Sequence, residues 1–138
     1  MRSHVSEAVI ERVLVQPMVR GVGEVLLGYR VDPQVGPIVL LAAGGVLTEI
    51  YRDRSVRLAP VDLDIAQEMI AEVRALKALA GYRGKPKGDL AALAQAIVGV
   101  SRLAALTGLR VAEFEANPLM VLAEGQGVLA VDALARLA

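Results

Sequence analysis

The chain has 138 residues, of which 55% are hydrophobic and 3% aromatic, and its 15 basic and 15 acidic residues leave no net charge. This length suits one domain with a sizeable core, while the balanced charge and scarce aromatic side chains argue against nucleic-acid binding. The lack of cysteine excludes disulfides, thiolate metal sites and a cysteine nucleophile. With no bilayer-length apolar run and no signal-peptide core, we expect a cytoplasmic protein that does not engage a membrane.

The first half of the chain predicts short strands joined by tight turns. Apolar and β-branched residues form short runs, separated by glycine- and proline-rich stretches at Gly21–Gly23 and Asp32–Pro37. Strands at this spacing indicate an antiparallel meander. Residues 1–10 are predicted to be a frayed terminal segment, so one folded domain would occupy 11–138. The predicted strands are 12–18, 24–31, 38–42 (apolar throughout, and so expected to be buried on both faces) and 46–51.

After Pro60 the hydrophobic period changes from that of a strand to that of a helix. Asp62 is suited to cap a first helix and Asp89 a second, which Gly108 is expected to end. The apolar positions at helical spacing are Ile65, Met69, Val73 and Leu76 in the first helix, and Leu90, Leu93, Ile97, Val100 and Ala104 in the second. Strands, two helices and strands again predict an α+β domain, in which a largely antiparallel sheet has its two main helices packed on one face.

The C-terminal stretch predicts a hairpin with three oxygen-bearing side chains on one face. If the loop closes between Leu122 and Gly127, counting back along both strands sets Asp132 opposite Asn117. Glu115 shares that face because side chains alternate along a strand. Two carboxylates and an amide at one point suit a hard divalent cation, most commonly Mg²⁺ shared with the phosphates of a nucleotide.

Two plainer interpretations of this hairpin stay open. Strand faces often carry carboxylates, so the acidic face can simply be solvated, and a Ca²⁺ or Mg²⁺ site unrelated to nucleotides is also compatible with the pattern. The Glu115-x-Asn117-Pro118 sequence favours the metal site, since it is unusual for a merely solvated strand. Proline cannot donate to a ladder, so we expect the strand to be bulged, or at an edge, where these side chains lie.

Further candidate residues could contact a nucleotide, each with an ordinary structural alternative. Gln16 and Met18, at the end of the first predicted strand, could line an adenine, but the pattern alone favours an ordinary strand end. Glu24 could accept from a ribose hydroxyl or simply be solvated. The Gly44-Gly45 pair could let backbone N–H groups approach an anion, or could form a bulge or turn.

Arg57 is the candidate for a direct phosphate contact. It ends the charged run 52–57, and a guanidinium can hold a phosphate with two hydrogen bonds. The alternative is a solvated sheet edge, which is the usual fate of such a run.

Taken together, these pieces resemble a known family. The ordered segments are VLVQPM, then Glu24, GYRVDPQVGPIV, AAGGVLTEI, YRDRSVRLAPV, GYRG, AEFEANPLMVL and AVDA. They are similar to the later half of the ATP-grasp domain of NDP-forming acyl-CoA synthetases, which include the ADP-forming acetate:CoA ligases and the β-subunit of succinyl-CoA synthetase. The similarity runs from about Val13 onward and implies the C-terminal subdomain of the ATP-grasp fold.

The resemblance implies roles for individual residues. Residues 16–18 match the hinge against which adenine lies, Glu24 matches a glutamate that contacts the nucleotide, and Gly44 and Gly45 match a loop beside the phosphates. The metal-binding positions of the family match Glu115, Asn117 and Asp132. The cofactors implied are ATP and Mg²⁺. The implied reaction joins a carboxylate to CoA while ATP becomes ADP and phosphate, with a phosphohistidine as carrier.

The chain also departs from the family pattern. The earlier ATP-grasp subdomain, the CoA-binding domains and the domain with the phosphorylated histidine are not in this sequence, and Val35 stands where an aromatic residue is usual. The resemblance therefore implies one wall of an ATP cleft that binds nucleotide weakly alone and has those domains as partners, in the same enzyme or in a separate chain. The exposed cleft wall would favour a homo-oligomer. The alternative is a non-catalytic interaction domain that keeps the fold.

Overall fold

The computed structural model describes residues 12–44 and 53–138. Within these ranges, six strands form one antiparallel sheet, accompanied by two α-helices and three short 3₁₀ helices. The strands are β1 (Gly23–Asp32), β2 (Gly36–Ala43), β3 (Arg54–Leu58), β4 (Val111–Val121), β5 (Val128–Ala130) and β6 (Ala133–Leu137). The helices are α1 (Leu63–Glu72) and α2 (Leu90–Ser101), and the 3₁₀ helices are Arg74–Ala80, Tyr82–Gly84 and Arg102–Ala105. The predicted α+β class with a largely antiparallel sheet is confirmed.

The long strand β4 lies in the middle of the C-terminal half of the sheet. The strand order is β3-β2-β1-β4, after which β5 and β6 pair in turn with the free side of β4. Gly28 of β1 lies between Leu40 of β2 and Glu115 of β4, and Glu115 in turn pairs with Leu134 of β6. These pairings fix which side chains share a face, because neighbouring partners across a ladder point to the same side.

The two faces of the sheet have different neighbours. On one face, Val25, Leu27, Val39 and Leu41 are buried with the apolar sides of α1 and α2, which confirms the prediction that both helices pack on a single face. We call the other side the open face. Its side chains come from the alternate positions of the same strands, namely Leu26, Arg30, Ile38, Leu40, Arg54, Val56, Glu113 and Glu115.

The first predicted helix ends earlier than expected. Asp62 caps α1 as predicted, its carboxylate accepting from the N–H of Ile65 at 2.9 Å. The helix then stops at Val73, which has an extended backbone (φ −75°, ψ 106°), although the apolar spacing continues to Leu76. The reason is tertiary: both oxygens of Asp53 accept backbone N–H groups just beyond Val73, each at 2.8 Å, and cap a new 3₁₀ helix.

The second helix begins at its predicted cap and also ends early. The Asp89 carboxylate accepts from the N–H of Ala92 at 3.0 Å, and α2 runs only to Ser101, whereas the glycine signal predicted an end near Gly108. The hydroxyl of Ser101 donates to the carbonyl of Val98 at 2.8 Å and accepts from the N–H of the buried Val61. A tighter 3₁₀ turn follows these bonds in place of the final α-helical turn.

One strand prediction is wrong and a second lies outside the described residues. The strand predicted at 12–18 is wrong: this stretch is irregular, and Leu14 and Val15 are 86% and 88% exposed. Its β-branched residues suit a strand, but no strand of the described chain pairs with them. The segments 1–10 and 46–51 lie outside the described residues. Strand β3 was not predicted, because it lies within a charged run whose hydrophobic pattern does not indicate a strand.

Strand β2 is buried as predicted at four of its five central positions, with Leu40 half-buried on the open face. Across the described part of the chain, no helix is long and apolar enough to cross a membrane.

Candidate functional site

The C-terminal hairpin closes at the predicted residues. The N–H of Leu122 donates to the carbonyl of Gly127 at 3.1 Å, and the N–H of Asn117 donates to the carbonyl of Asp132 at 3.0 Å. Both predictions, the loop closure and the register that sets Asp132 opposite Asn117, are confirmed. This register matters because a slip by one residue would turn every side chain of the returning strand to the opposite face.

Three oxygen-bearing side chains meet beside this pair. Glu115, Asn117 and Asp132 line one surface depression of about 60 Å³ together with two residues of β6. The amide nitrogen of Asn117 donates to Oε1 of Glu115 at 3.2 Å, which leaves the amide oxygen of Asn117 as an acceptor. Asn117 and Asp132 are exposed and Glu115 is half-buried, so an ion can reach all three from solvent.

A bulge in β4 lies at the same place. The register between β1 and β4 shifts at Leu26, where two residues of β4, Asn117 and Pro118, lie opposite one residue of β1. The prediction of a bulge at the proline is confirmed, although β4 is an inner strand and not an edge. A bulge redirects a side chain without ending the sheet, which suits a position that must present a ligand.

The donor set of this depression fits a cation that shares its ligands with another molecule. No group of three or more His, Cys, Asp and Glu side chains able to hold a metal occurs among residues 12–44 and 53–138. Glu115 and Asp132 supply two carboxylates and Asn117 a neutral oxygen, all hard oxygen donors. Mg²⁺ characteristically binds one or two protein carboxylates and completes its six ligands with water and phosphate oxygens.

The open face next to this depression forms a shallow concavity of about 340 Å³. Its floor is apolar, with Leu26, Leu40 and Val56 from three adjacent strands. Gly28 lies among them, and because it has no side chain the floor is deeper there. Glu115 borders both this concavity and the metal depression, so the two are adjacent. Arg30 and Arg54 contribute basic side chains to the lining, which also contains Glu113. An extended ligand with an apolar and an anionic part therefore matches the lining.

Two of the predicted nucleotide contacts lie together at one end of the sheet. Glu24 is the second residue of β1 and is exposed. It pairs with Met120, which lies three residues along β4 from Asn117 and so roughly 10 Å away from it. The N–H of Gly44 donates to the carbonyl of Glu24 at 2.8 Å. A Cβ at Gly44 would lie 2.6 Å from that same oxygen, so glycine is required for this close approach. Gly45 lies outside the described residues.

The structure does not bring the predicted adenine contacts into this site. Gln16 and Met18 lie in the irregular stretch before β1, and Met18 is 92% exposed. The chain returns to the sheet at Val22, whose N–H donates to the carbonyl of Val121 at 2.8 Å. The segment thus leads to the end of the sheet near Glu24, while its own side chains make no part of the described concavity.

Arg57 lies on the wrong face for the phosphate contact that was predicted from its position in the charged run. It pairs with the fully buried Val39, which puts it on the helix side of β3. Its guanidinium forms an ion pair with Glu72 at the end of α1, and the hydroxyl of Ser55 donates to the other Glu72 oxygen at 2.5 Å. This placement corrects the prediction: Arg57 joins β3 to α1, and Arg54 is the arginine of β3 that faces the concavity.

The ion pair at Glu72 predicts a specific dependence of stability on pH. The hydrogen bond from Arg57, with a second from Ser55, holds the pKa of Glu72 below its usual value of 4.5. The group therefore contributes stability that is complete above about pH 4.5 and is lost as pH falls through the lower, folded-state pKa. We expect Glu72→Gln to lower the melting temperature at pH 7. Below pH 4.5 the melting temperature of the variant should fall less steeply than that of the unaltered chain, as measured by thermal unfolding between pH 3 and 7. An unchanged acid slope in the variant would contradict this assignment.

Sequence reasoning missed two residues near the site. Once β3 is recognised, alternation puts residues 54, 56 and 58 on the face opposite to Arg57, but it does not say which of the two faces is open. Asp89 was recognised only as a helix cap. It is 8% exposed and its second oxygen accepts from the N–H of Gly127 at 2.8 Å, in the hairpin loop. No sequence pattern near Asp89 predicts that contact, because 38 residues separate the two partners.

A model of the ATP-grasp domain matches residues 1–137 of this chain. Acetate–CoA ligase (ADP-forming) I of Archaeoglobus fulgidus is 41% identical over 123 residues, which cover 89% of this chain and 18% of that protein. The beta subunit of acetate–CoA ligase (ADP-forming) II of Pyrococcus furiosus is 34% identical over 132 residues, covering 96% of this chain and 56% of that subunit.

Solved structures give the same likeness. Dinucleotide-forming acetyl-coenzyme A synthetase 1 of Ca. Korarchaeum cryptofilum, in complex with coenzyme A and Mg-AMPPCP, is 36% identical with a TM-score of 0.78, over 88% of this chain and 55% of that one. PH1788 of Pyrococcus horikoshii is 32% identical with a TM-score of 0.80, over 88% of this chain and 51% of that one. The chain thus spans about half of these solved chains and less than a fifth of the Archaeoglobus protein.

Proposed function

The chain belongs to the ATP-grasp domain family, and we propose that it forms the Mg²⁺- and ATP-binding half-domain of an ADP-forming acyl-CoA ligase. The observation that carries this proposal is the hairpin register, in which Asp132 lies opposite Asn117 and beside Glu115. A solvated acidic strand would need no such convergence at a bulge.

The residues of the depression divide the work of holding the cation. Glu115 and Asp132 supply the negative charge, and the amide oxygen of Asn117 supplies a neutral ligand that does not add repulsion. Because the protein supplies only these two carboxylates, the ion keeps coordination positions for phosphate oxygens. When bound, Mg²⁺ would neutralise charge on the phosphates as the phosphoryl group is transferred.

The open face supports a path for the nucleotide away from the hairpin. We assign its phosphates to the stretch between the metal depression and Gly44, with Arg54 as one of the basic side chains of this face. Gly45, the next residue in the sequence, is proposed for the same role as Gly44. We assign the ribose to Glu24. The adenine is assigned to Gln16 and Met18 from the family resemblance, since their side chains lie outside the concavity. Arg57 has no part in this assignment, because Glu72 holds it on the other face.

The complete reaction that we propose is carboxylate plus CoA plus ATP giving acyl-CoA, ADP and phosphate, with a phosphohistidine as the intermediate carrier. The CoA-binding and histidine-bearing domains would belong to the same enzyme or to a partner chain. The Ca. Korarchaeum cryptofilum structure supports this, since it is described with coenzyme A, Mg-AMPPCP and a phosphohistidine segment pointing towards the nucleotide-binding site.

The test is nucleotide binding that depends on the metal. The chain alone offers one wall of the cleft, so we expect a dissociation constant in the millimolar range, about 4 kcal/mol of binding free energy. Titration of ¹⁵N-labelled chain with ATP should shift the amide signals of Glu24, Asn117 and Asp132 when Mg²⁺ is present, and much less with EDTA. ATP at millimolar concentration that leaves all three signals unmoved, or moves them equally without metal, would overturn the proposal.

A second function, protein interaction without catalysis, is favoured by one observation. Four apolar side chains in the irregular stretch before β1 are exposed by 77–92%, namely Val13, Leu14, Val15 and Met18. Exposed apolar residues that lie close together in the sequence favour a contact with another chain or another copy. Sedimentation that shows a stable dimer, unaffected by Mg-ATP and by Asp132→Ala, would support this function over the first.

A further inference from the structure

The hairpin that presents Asp132 is held from outside by the segment that leads into α2. Residues 87–89 lie along the hairpin loop and form backbone hydrogen bonds with it. The N–H of Asp89 donates to the carbonyl of Leu122 at 2.9 Å, and the N–H of Glu124 donates to the carbonyl of Lys87 at 2.9 Å. The Asp89 carboxylate then adds the bond from the N–H of Gly127, which is the first residue after the loop.

The returning strands have little other support. All five residues of β6 are exposed, and in β5 only Val128 is partly buried against the core. Side-chain packing therefore does little to choose between registers of β5 and β6 against β4. The register is weakly specified wherever neither face of a strand is buried. A fixed point at the start of β5 is then needed to keep Asp132 opposite Asn117.

We propose that Asp89 is a positioning residue for the metal-binding hairpin, with one carboxylate oxygen capping α2 and the other fixing Gly127 and so the register of Asp132. This inference rests on the proposed function only in taking the ligand of the hairpin to be a metal ion with ATP. The bonds from Ala92 and Gly127 also hold the pKa of Asp89 below its usual value, so the carboxylate stays ionised and both oxygens remain acceptors.

Asp62 provides a matched control for Asp89. Both are aspartates that cap an α-helix through one oxygen, to Ile65 at 2.9 Å and to Ala92 at 3.0 Å respectively. Asparagine caps helices as well as aspartate does, so either Asp→Asn variant can keep its cap. Only Asp89 uses its second oxygen on the hairpin, and an amide NH₂ facing the N–H of Gly127 cannot accept that bond. Asp89→Ser is a second variant, whose hydroxyl can cap the helix but is too short to hold both partners.

The first measurement is hydrogen exchange of the Asn117 amide, because that N–H donates to the Asp132 carbonyl and reports the register without any metal. We expect this amide to exchange roughly tenfold faster in Asp89→Asn and Asp89→Ser than in Asp62→Asn, when the three variants are compared at equal global stability in urea. Equal Asn117 exchange in Asp89→Asn and Asp62→Asn would overturn the inference.

The second measurement is Mn²⁺ binding in the presence of ATP, followed by paramagnetic broadening of the Asn117 and Asp132 signals. The Mn²⁺ concentration for half-broadening should rise about tenfold in Asp89→Asn and stay unchanged in Asp62→Asn. If the unaltered chain shows no broadening at these residues, the metal site of the proposed function is wrong, and the exchange result alone decides the role of Asp89. If Mn²⁺ binds equally to both variants, Asp89 does not position the site.

Discussion

Replacing Asp132 with alanine is expected to remove the dependence of ATP binding on Mg²⁺. The change deletes one of two carboxylates in a depression that has only three oxygen-bearing ligands, Glu115, Asn117 and Asp132. Altering a residue that merely supports a ligand already costs 10- to 100-fold in metal affinity, so losing the ligand itself should cost on the order of 100-fold or more. Titration with Mn²⁺ at fixed ATP measures this loss directly.

Glu113→Ala is the control for that experiment. Glu113 lies on the same strand and the same open face as Glu115, two residues away, but it pairs with Arg136 at 3.3 Å and lies outside the metal depression. Both variants remove one acidic side chain, so a purely electrostatic attraction of Mg-ATP to this face would respond similarly to each. We expect the Mn²⁺ affinity to fall in Asp132→Ala and to change little in Glu113→Ala. Similar affinities in the two variants would refute a specific site.

The largest expected effect on stability is that of Leu93→Ala. Leu93 is fully buried in the first turn of α2, on the side that packs against β1 and β2. Truncation removes apolar contacts and leaves a cavity between helix and sheet, which costs about 2–5 kcal/mol for a buried leucine. A loss of this size is a large fraction of the stability of an ordinary domain. Urea unfolding, with the midpoint and the slope measured together, tests it.

The same change at an exposed leucine provides the comparison. Leu58 ends the edge strand β3 and is 62% exposed, so Leu58→Ala removes the same atoms with little cavity. We expect its effect on the free energy of unfolding to stay within about 0.5 kcal/mol. Equal losses for the two variants would mean that α2 does not pack on the sheet as described.

The sequence predicted the elements whose causes are local. Short apolar runs bounded by turn residues placed β1 and β2. The aspartates at 62 and 89 marked both helix starts, because a cap needs only an N–H group three residues ahead. The hairpin was predicted down to its register, since loop closure between Leu122 and Gly127 fixes all later pairings by counting. The candidate metal ligands follow from that count alone.

The early ends of both α-helices were decided by distant residues. The spacing of apolar residues runs on past Val73, but Asp53, about 20 residues earlier, caps a new helix there. Ser101 bonds to Val61, 40 residues away, where α2 ends. Helical periodicity cannot predict such hydrogen bonds, because they form only when elements that are distant in the sequence pack together.

By itself, then, the sequence determined the class of the domain, its helix starts and the grouping of Glu115, Asn117 and Asp132, all of which depend on neighbours along the chain. Only the tertiary structure decided that Arg57 turns away to Glu72, that Arg54 faces the open side, and that Asp89 reaches Gly127. The physical reason is common to all three. The face of an edge strand and the partner of a buried carboxylate are set by which surfaces pack together, and no periodicity within one segment records that choice.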